Sequence, residues 1–145
     1  MDAGLRIFLD SNIILAFLGG EAGGDIVERA LKDGIEGYIN NIVVSEVIYG
    51  FLRLATGLSA RRIRELLQRR DERVLNLLET PLKILRRFRV VEEAVDIDEL
   101  VLTIKSYGLM PNGAIIAVTC KKHGIEVIAT LDEDFKRVPW LKVIP

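Results

Sequence analysis

The chain has 145 residues, a formal net charge of −1, and a composition that is 50% apolar and 28% charged. We expect a single domain over residues 1–145, because this length can bury a sizeable core. No apolar run reaches the roughly 20 residues that span a bilayer, and the N-terminus lacks the features of a secretory signal, so we expect a cytoplasmic protein with no membrane partner. The lone Cys120 excludes an intrachain disulfide and argues against a cysteine-based zinc site.

Short apolar runs alternate with helical patterns in the first part of the chain. In chain order they predict a strand at 6–10, helices at 12–18 and 24–33, a strand at 37–40 and a helix at 42–55. Glycines follow each helical pattern, which is typical of helix ends. We expect Asn41 to cap the helix at 42–55.

The same alternation continues to the end of the chain. The sequence next predicts a basic helix capped by Ser59 and a helical segment at 72–86 that is disturbed near Pro81. A strand at 88–92 and a helix at 97–107 follow. The last predicted elements are a helix that is capped by Asn112 and runs through residue 122, and strands at 126–129 and 141–144. This order indicates an α/β fold with a parallel sheet between two helical layers. The helical stretch before the third strand exceeds a simple crossover, so we predict a separate helical arm.

That arm is strongly basic. Residues 61–89 hold ten Lys or Arg and four Asp or Glu, whereas the flanking segments are acidic. One interpretation is a solvated helical face, because acids are interspersed. The other is a surface that contacts phosphates, since arginine matches phosphate oxygens with a planar fork. The candidate phosphate contacts are Arg61, Arg62, Arg64, Arg69, Arg70 and Arg73.

Carboxylates follow two of the apolar runs directly. Asp10 ends the first predicted strand, and Asp132 comes just after the strand at 126–129. Ligands of open α/β sheets bind beyond the carboxyl ends of the strands, so these acids are expected at one rim. Converging carboxylates repel each other unless a cation neutralises them. Mg²⁺ or Mn²⁺, which prefer oxygen ligands, would account for the pattern.

Each acid also has a purely structural interpretation. Asp10, Asp132 and Asp134 could cap the helices that follow them. Glu46, taken alone, has the pattern of a solvated helix acid paired with Arg53. The sequence contains no phosphate-binding loop or nucleophile elbow, which disfavours those classes of enzyme.

The chain resembles the PIN domain family, many of whose members are small metal-dependent ribonucleases, including VapC-type toxins. The resemblance covers nearly the whole chain. It is carried by the segments Ile7-Phe8-Leu9-Asp10-Ser11-Asn12, Val44-Ser45-Glu46-Val47-Ile48-Tyr49, Leu109-Met110-Pro111-Asn112-Gly113-Ala114-Ile115-Ile116-Ala117 and Ala129-Thr130-Leu131-Asp132-Glu133-Asp134-Phe135. It implies a five-stranded parallel sheet in the order 3-2-1-4-5 and an acidic pocket that holds Mg²⁺ or Mn²⁺.

The resemblance also assigns site residues. It implies Asp10, Glu46 and Asp132 as catalytic acids, with Asp10, Asp132 and the auxiliary Asp134 as metal ligands. The supporting polar residues that it implies are Ser11, Asn12 and Thr130. One position departs from the family pattern, which usually has Asp where this chain has Gly113.

The resemblance implies a metal-dependent ribonuclease that cleaves RNA phosphodiesters, with an antitoxin protein and a second copy of the chain as further partners. Leu52, Leu54, Leu58 and Leu66 could form a dimer surface or belong to the core. Two alternatives stay open. Gly113 favours a PIN-like module that binds RNA or protein without catalysis. A receiver-like domain also clusters acids at strand ends, but the residues after Asp10 do not fit it.

Overall fold

The computed structural model describes residues 4–32 and 34–145. Its strands are β1 (Arg6–Leu9), β2 (Glu36–Ile39), β3 (Arg89–Val90), β4 (Val127–Ala129) and β5 (Lys142–Ile144). Its helices are α1 (Ser11–Leu18), α2 (Asp25–Lys32), α3 (Asn41–Thr56), α4 (Ala60–Gln68), α5 (Glu72–Leu77), α6 (Glu79–Leu85), α7 (Ile97–Tyr107) and α8 (Pro111–Lys122), and a 3₁₀ helix covers Glu133–Arg137.

The strands form one parallel sheet in the order β3-β2-β1-β4-β5, which confirms the predicted topology. β1 is central and pairs with β2 on one side and with β4 on the other. Phe8 lies opposite both Tyr38 and Ile128, so this register aligns the carboxyl ends of the three strands. Residues that follow β1 and β4 therefore meet at one edge of the sheet.

Several boundaries differ from the predictions. The segment at 72–86 is two helices, α5 and α6, and β3 has only two residues. Asn40, not Asn41, caps α3 by accepting a hydrogen bond from the Val43 amide, whereas Ser59 caps α4 as predicted. α8 begins at Pro111 and has no side-chain cap, so the predicted Asn112 cap is wrong: proline occupies the first helical position, where its missing N–H costs nothing. Residue 33, the predicted end of the second helix, lies outside the described residues.

The core lies on both faces of the sheet. The last three residues of β1, Ile7, Phe8 and Leu9, are fully buried, as are Ile128 and Ala129 of β4. Such continuous apolar burial is typical of a parallel strand covered by helices on both sides. The central strand is thereby fixed, and with it the position of Asp10 one residue further on.

The predicted arm is held to the rest of the molecule by a small apolar cluster of its own. Leu52 of α3 packs with Ile63 of α4 and Val74 of α5, and all three side chains are buried. Leu58 and Leu66 pack against this cluster, whereas Leu54 is 53% exposed. The leucines proposed for a dimer surface are thus mostly internal, and the basic helices are anchored to α3.

Helices α1 and α3 pack closely against each other at Gly50. A Cβ atom at Gly50 would lie 2.6 Å from Cδ1 of Leu15, so any larger residue at this position would require the Leu15 side chain to move. Because Glu46 lies one turn before Gly50, this packing brings its side chain toward the N-terminal end of α1.

Within residues 4–32 and 34–145, no single helix is long and apolar enough to cross a membrane, and two bent pairs of helices meet that condition only when each pair is taken together.

Replacing the buried cap of α3 should destabilise the protein more than replacing an exposed cap. Asn40 is fully buried, accepts from the Val43 amide at 3.1 Å and donates to Thr119 Oγ1 at 3.3 Å. We expect Asn40→Ala to lower the free energy of unfolding by about 2 kcal/mol, because a buried amide loses its acceptor. Urea denaturation measures this, and Ser59→Ala, an exposed cap, is the matched control with an expected loss of about 0.5–1 kcal/mol. Equal losses would contradict the role given to burial.

Candidate active site

A pocket of about 210 Å³ opens at the carboxyl edge of the sheet. It lies between the ends of β1 and β4, the side of α3, the start of α8 and the 3₁₀ helix. Its lining residues are Asp10, Ser11, Asn12, Glu46, Leu109, Met110, Asn112, Gly113, Ile116, Asp132, Asp134 and Phe135. The four acids implied by the family resemblance therefore line one pocket, and no lysine, arginine or histidine is among the lining residues.

Hydrogen bonds of the sheet continue past the strands and fix the two sides of this pocket. The amide of Asp10 donates to the Ala129 carbonyl at 3.0 Å, and the amide of Thr130 donates to the Ile144 carbonyl at 3.1 Å. Asp10 and Thr130 are therefore held side by side by the backbone. Their side chains meet through a hydrogen bond of 2.7 Å from Thr130 Oγ1 to Asp10 Oδ2.

Asp10 is buried, with 6% of its surface exposed. Its carboxylate accepts from the Ser11 amide at 2.8 Å and from Asn12 Nδ2 at 3.4 Å, in addition to Thr130. Burial raises the pKa of Asp10 above its ordinary value. The bonds from Thr130 and Ser11 oppose that increase in pKa, and the nearby carboxylates of Glu46 and Asp132 add to it. Asp10 also has the predicted capping role for α1.

Asn12 ties the start of α1 to the end of β4. Its Nδ2 donates to Thr130 Oγ1 at 3.2 Å, and its Oδ1 accepts from the Leu131 amide at 3.0 Å. Thr130 Oγ1 further accepts from the Asp132 amide at 3.0 Å. The polar residues predicted to support the site thus form a network that orients Asp10 and the backbone of Asp132.

Glu46 faces the pocket and is half-buried, which contradicts its interpretation as a solvated acid paired with Arg53. Its Oε1 accepts from Ser11 Oγ at 3.2 Å, and its Oε2 accepts from Asn112 Nδ2 at 3.4 Å. Arg53 instead donates to the Tyr49 hydroxyl at 3.2 Å. Asn112 was predicted only as a helix cap, so its contact with Glu46 had no signal in the sequence.

The last two acids lie at the start of the 3₁₀ helix: Asp132 immediately precedes it and Asp134 is its second residue. Asp132 is exposed and accepts from the Asp134 amide at 2.9 Å, which makes it the cap of this helix as well as a lining residue. Asp134 is half-buried and accepts from Nη1 of Arg137 at 3.1 Å. Sequence reasoning missed Arg137, although its spacing of three residues from Asp134 is that of a helical ion pair.

The donor set suits a hard divalent cation. All four acids offer oxygen ligands, and Asp10 has no positively charged hydrogen-bond partner in the described residues. In the same residues, no group of three or more His, Cys, Asp or Glu side chains is gathered closely enough to hold a metal ion. Mg²⁺ commonly keeps several waters and uses one or two carboxylates, so it does not need such a group.

Gly113 lies in the first turn of α8 and lines the pocket. A Cβ atom there would meet the Phe135 ring at 3.6 Å and Leu109 Cβ at 4.0 Å, which are ordinary contacts. The pocket therefore has room for an aspartate side chain at position 113.

The six arginines of the predicted phosphate surface are all exposed, and none lines the pocket. Arg61 and Arg62 both pair with Glu65, with 3.7 Å from Arg61 Nε to Glu65 Oε1 and 3.0 Å from Arg62 Nη1 to Glu65 Oε2. The described residues show no ion pair for Arg64, Arg69, Arg70 or Arg73.

With this fold and pocket established, the chain can be placed among known proteins. It belongs to the PIN domain family, whose sequence profile matches residues 7–141. Ribonuclease VapC2 of Methanocaldococcus jannaschii is similar, with 35% identity over 143 residues that cover 96% of this chain and 93% of the relative.

Solved structures share the fold. A chain of a toxin-antitoxin complex from Klebsiella pneumoniae has a TM-score of 0.64 and 21% identity, with 96% of each chain covered. A chain of VapBC2 from Rickettsia felis, solved bound to a DNA fragment from its promoter, has a TM-score of 0.62 and 20% identity, with 97% of this chain and 98% of that chain covered.

Removing the charge of Asp10 should stabilise the metal-free protein. Because burial raises the pKa of Asp10, the favourable contribution of its protonated form is complete below pH 3.8, the ordinary value, and is lost as pH rises through the higher folded value. Asp10→Asn should therefore raise the free energy of unfolding at pH 7 and flatten this loss. The asparagine can keep the Ser11 bond through its oxygen.

The measurement is urea denaturation between pH 4 and 8 with a chelator present. Thr130→Val, which removes a hydrogen bond that lowers the pKa of Asp10, should instead steepen the loss of stability with pH. A wild-type protein that is more stable than Asp10→Asn at pH 7 without metal would contradict the assignment of burial as the dominant effect.

Proposed function

We propose that this chain is an endoribonuclease that uses Mg²⁺ or Mn²⁺ to hydrolyse RNA phosphodiesters, and that it is the toxin of a toxin–antitoxin pair. The observation that carries the proposal is the pocket lined by four acids and no basic side chain, with a buried Asp10 at its base. Membership of the PIN domain family and the similarity to a relative named a ribonuclease support the same chemistry.

Each acid has a separate task in this proposal. Asp10 would be the central metal ligand, because it is buried and held by three hydrogen bonds. Asp132 would contribute a second ligand, and Asp134 would support it. Glu46, held by Ser11 and Asn112, would orient the attacking water and take up its proton.

When bound, the divalent cation supplies a positive charge that acidifies water and neutralises the charge that grows on the phosphate. Ser11, Asn12 and Thr130 would not react. They would keep the Asp10 carboxylate in one orientation, as outer-shell partners do in other metal sites.

RNA loops or single strands are the substrates that we propose, because their exposed backbone can approach a shallow pocket. The arginines on α4, α5 and the turn between them would bind the phosphates on either side of the cleaved bond. Their exposure, and the lack of ion pairs for four of them among the described residues, support this assignment.

The proposed antitoxin would be a protein that binds the folded chain. The structures from Klebsiella pneumoniae and Rickettsia felis are of toxin-antitoxin and VapBC assemblies, which supports such a partner here. We also propose a homodimer. Of the four leucines considered for its surface, Leu54 is the one left largely exposed.

A second candidate function is a PIN-like module that binds RNA or protein without cleaving it. The observation that favours it is Gly113, which leaves the pocket without the carboxylate usual in the family. Mn²⁺ titration separates the two proposals, because a binding module has no requirement for the cation.

The basic surface predicts a steep dependence of RNA affinity on salt. If Arg64, Arg69, Arg70 and Arg73 contact phosphates, log Kd should rise linearly with log salt, by about 0.7 per contact for a single strand. The double variant Arg69→Gln/Arg70→Gln should lower that slope by about 1.4 and leave Mn²⁺ binding unchanged. Fluorescence anisotropy with a labelled RNA measures both. The control variant Lys121→Gln/Lys122→Gln removes the same charge from the end of α8 and should leave the salt slope unchanged. If the slope is also unchanged in the arginine variant, Arg69 and Arg70 do not contact phosphates and belong to a solvated helical face.

The pocket predicts that an added carboxylate at position 113 strengthens metal binding. Gly113→Asp fits the space and is favoured near a helix N-terminus, and repulsion from the other lining acids offsets part of this stabilisation until a cation is bound. We expect about tenfold tighter Mn²⁺ binding by calorimetry and faster Mn²⁺-dependent cleavage of a labelled RNA.

Gly113→Asn is the matched control, with similar size and no charge, and Asp10→Asn should abolish both binding and cleavage. If Gly113→Asp binds Mn²⁺ no better than Gly113→Asn, the pocket is not the metal site. If the unaltered chain and Gly113→Asp both bind RNA but neither cleaves it at saturating Mn²⁺, the non-catalytic module is the better description.

A further inference from the structure

Arg137 connects two walls of the acidic pocket. Its Nε donates to the Tyr107 carbonyl at 2.7 Å and its Nη2 to the Gly108 carbonyl at 2.9 Å, so it holds the end of α7 and the turn that leads into α8. Its Nη1 donates to Asp134 Oδ1 at 3.1 Å. One guanidinium therefore joins the turn before Asn112 to the 3₁₀ helix that carries Asp134.

These three contacts need the shape of arginine. The guanidinium is a rigid planar fork that can donate to three acceptors at once, whereas a lysine ammonium is a point charge on a flexible stem. Two of the acceptors are carbonyls at the C-terminal end of α7, which have no partners within the helix and carry the negative end of its dipole. Gly108, with a φ of 64°, ends this helix and exposes those carbonyls to Arg137.

The neighbouring Lys136 shows what an ordinary surface cation looks like on the same helix. It pairs with Glu133 at 2.5 Å, also three residues away, and both side chains are largely exposed. In the described residues it has no further ion pair or side-chain hydrogen bond to α7 or α8. Arg137 differs by contacting a segment thirty residues away as well as its own helix.

The charge of Arg137 also acts on the pocket. Among the four lining acids, Asp134 is the one with an ion pair in the described residues. Its carboxylate is thereby partly neutralised and directed toward Arg137, which leaves Asp10, Glu46 and Asp132 as the acids without a cationic partner.

We propose that Arg137 is a positioning residue of the pocket: it fixes the 3₁₀ helix against the start of α8 and keeps Asp134 from binding the metal directly. The part of this inference that is tested by RNA cleavage rests on the proposed function. Removing Arg137 should have two opposite effects. The free Asp134 and the lost positive charge strengthen cation binding, while the loosened walls slow cleavage.

The experiment compares Arg137→Met, Arg137→Lys and the matched control Lys136→Met with the unaltered chain. We expect Arg137→Met to bind Mn²⁺ about threefold more tightly in calorimetry and to cleave RNA with a kcat about tenfold lower at saturating Mn²⁺, with little change in KM. Arg137→Lys keeps the charge without the fork, so its Mn²⁺ affinity should stay near that of the unaltered chain while kcat falls. Lys136→Met should change both quantities by less than about twofold.

Hydrogen exchange supplies a readout that needs neither metal nor RNA. The Gly108 amide, which donates to the Ile104 carbonyl, and the Ala114 amide, which donates to the Met110 carbonyl, lie on either side of the turn that leads into α8. Both should exchange faster in the two Arg137 variants and at an unchanged rate in Lys136→Met, because Arg137 holds the Tyr107 and Gly108 carbonyls. If the unaltered chain fails to bind Mn²⁺ or cleave RNA, the proposed function fails, and the exchange data still decide whether Arg137 connects the walls.

Two results would overturn the inference. One is a parallel fall of Mn²⁺ affinity, kcat and melting temperature in Arg137→Met, which is what a purely structural contact would give. The other is an Arg137→Lys variant with unaltered cleavage and exchange, which decides the question even where Arg137→Met does not fold.

Discussion

The burial of one carboxylate at the end of the central strand is the constraint on which the rest of the pocket depends. Asp10 is carried into the interior because β1 is covered on both faces, and the backbone bond to Ala129 leaves it no freedom to move outward. An ionised group at such a position is unfavourable without compensation. Ser11, Asn12 and Thr130 compensate in part, yet the net effect still raises the pKa of the carboxyl group. The surroundings of Asp10 are thus arranged to orient a charge rather than to neutralise it.

Parallel-sheet geometry explains why part of this arrangement could be read from the sequence. Asp10 and Asp132 each follow a strand, and carboxyl ends of parallel strands share an edge, so their proximity needed only the correct assignment of β1 and β4. The network of Asn12 and Thr130 was implied by family resemblance at the same strand ends. The alternation of apolar runs and helices likewise gave the fold class, and the resemblance gave the strand order that is observed.

Glu46 and Arg137 illustrate what local sequence patterns could not provide. The helical pattern alone indicated a solvated Glu46, and its place in the pocket depends on contacts with Ser11 of α1 and Asn112 of α8, which are distant in the sequence. Arg137 acquires its importance from the carbonyls of Tyr107 and Gly108, which no local pattern connects to it. The break between α5 and α6 has a related cause, since Leu77 and Leu78 at that break pack against the cluster around Leu52 of α3, and tertiary packing overrides the local helical pattern there.

If the protein cleaves RNA as proposed, the central position of β1 also determines when during synthesis the active pocket can form. β1 pairs with β2 nearby in the chain, but its other neighbour is β4, at residues Val127–Ala129. On the ribosome the amino-terminal strands, helices and basic arm emerge first. The wall formed by β4, Asp132 and the 3₁₀ helix is made after the basic arm, so a nascent chain carries that arm before it carries a complete pocket. Cleavage would therefore have to wait until residues 127–137 have been synthesised and have joined the sheet.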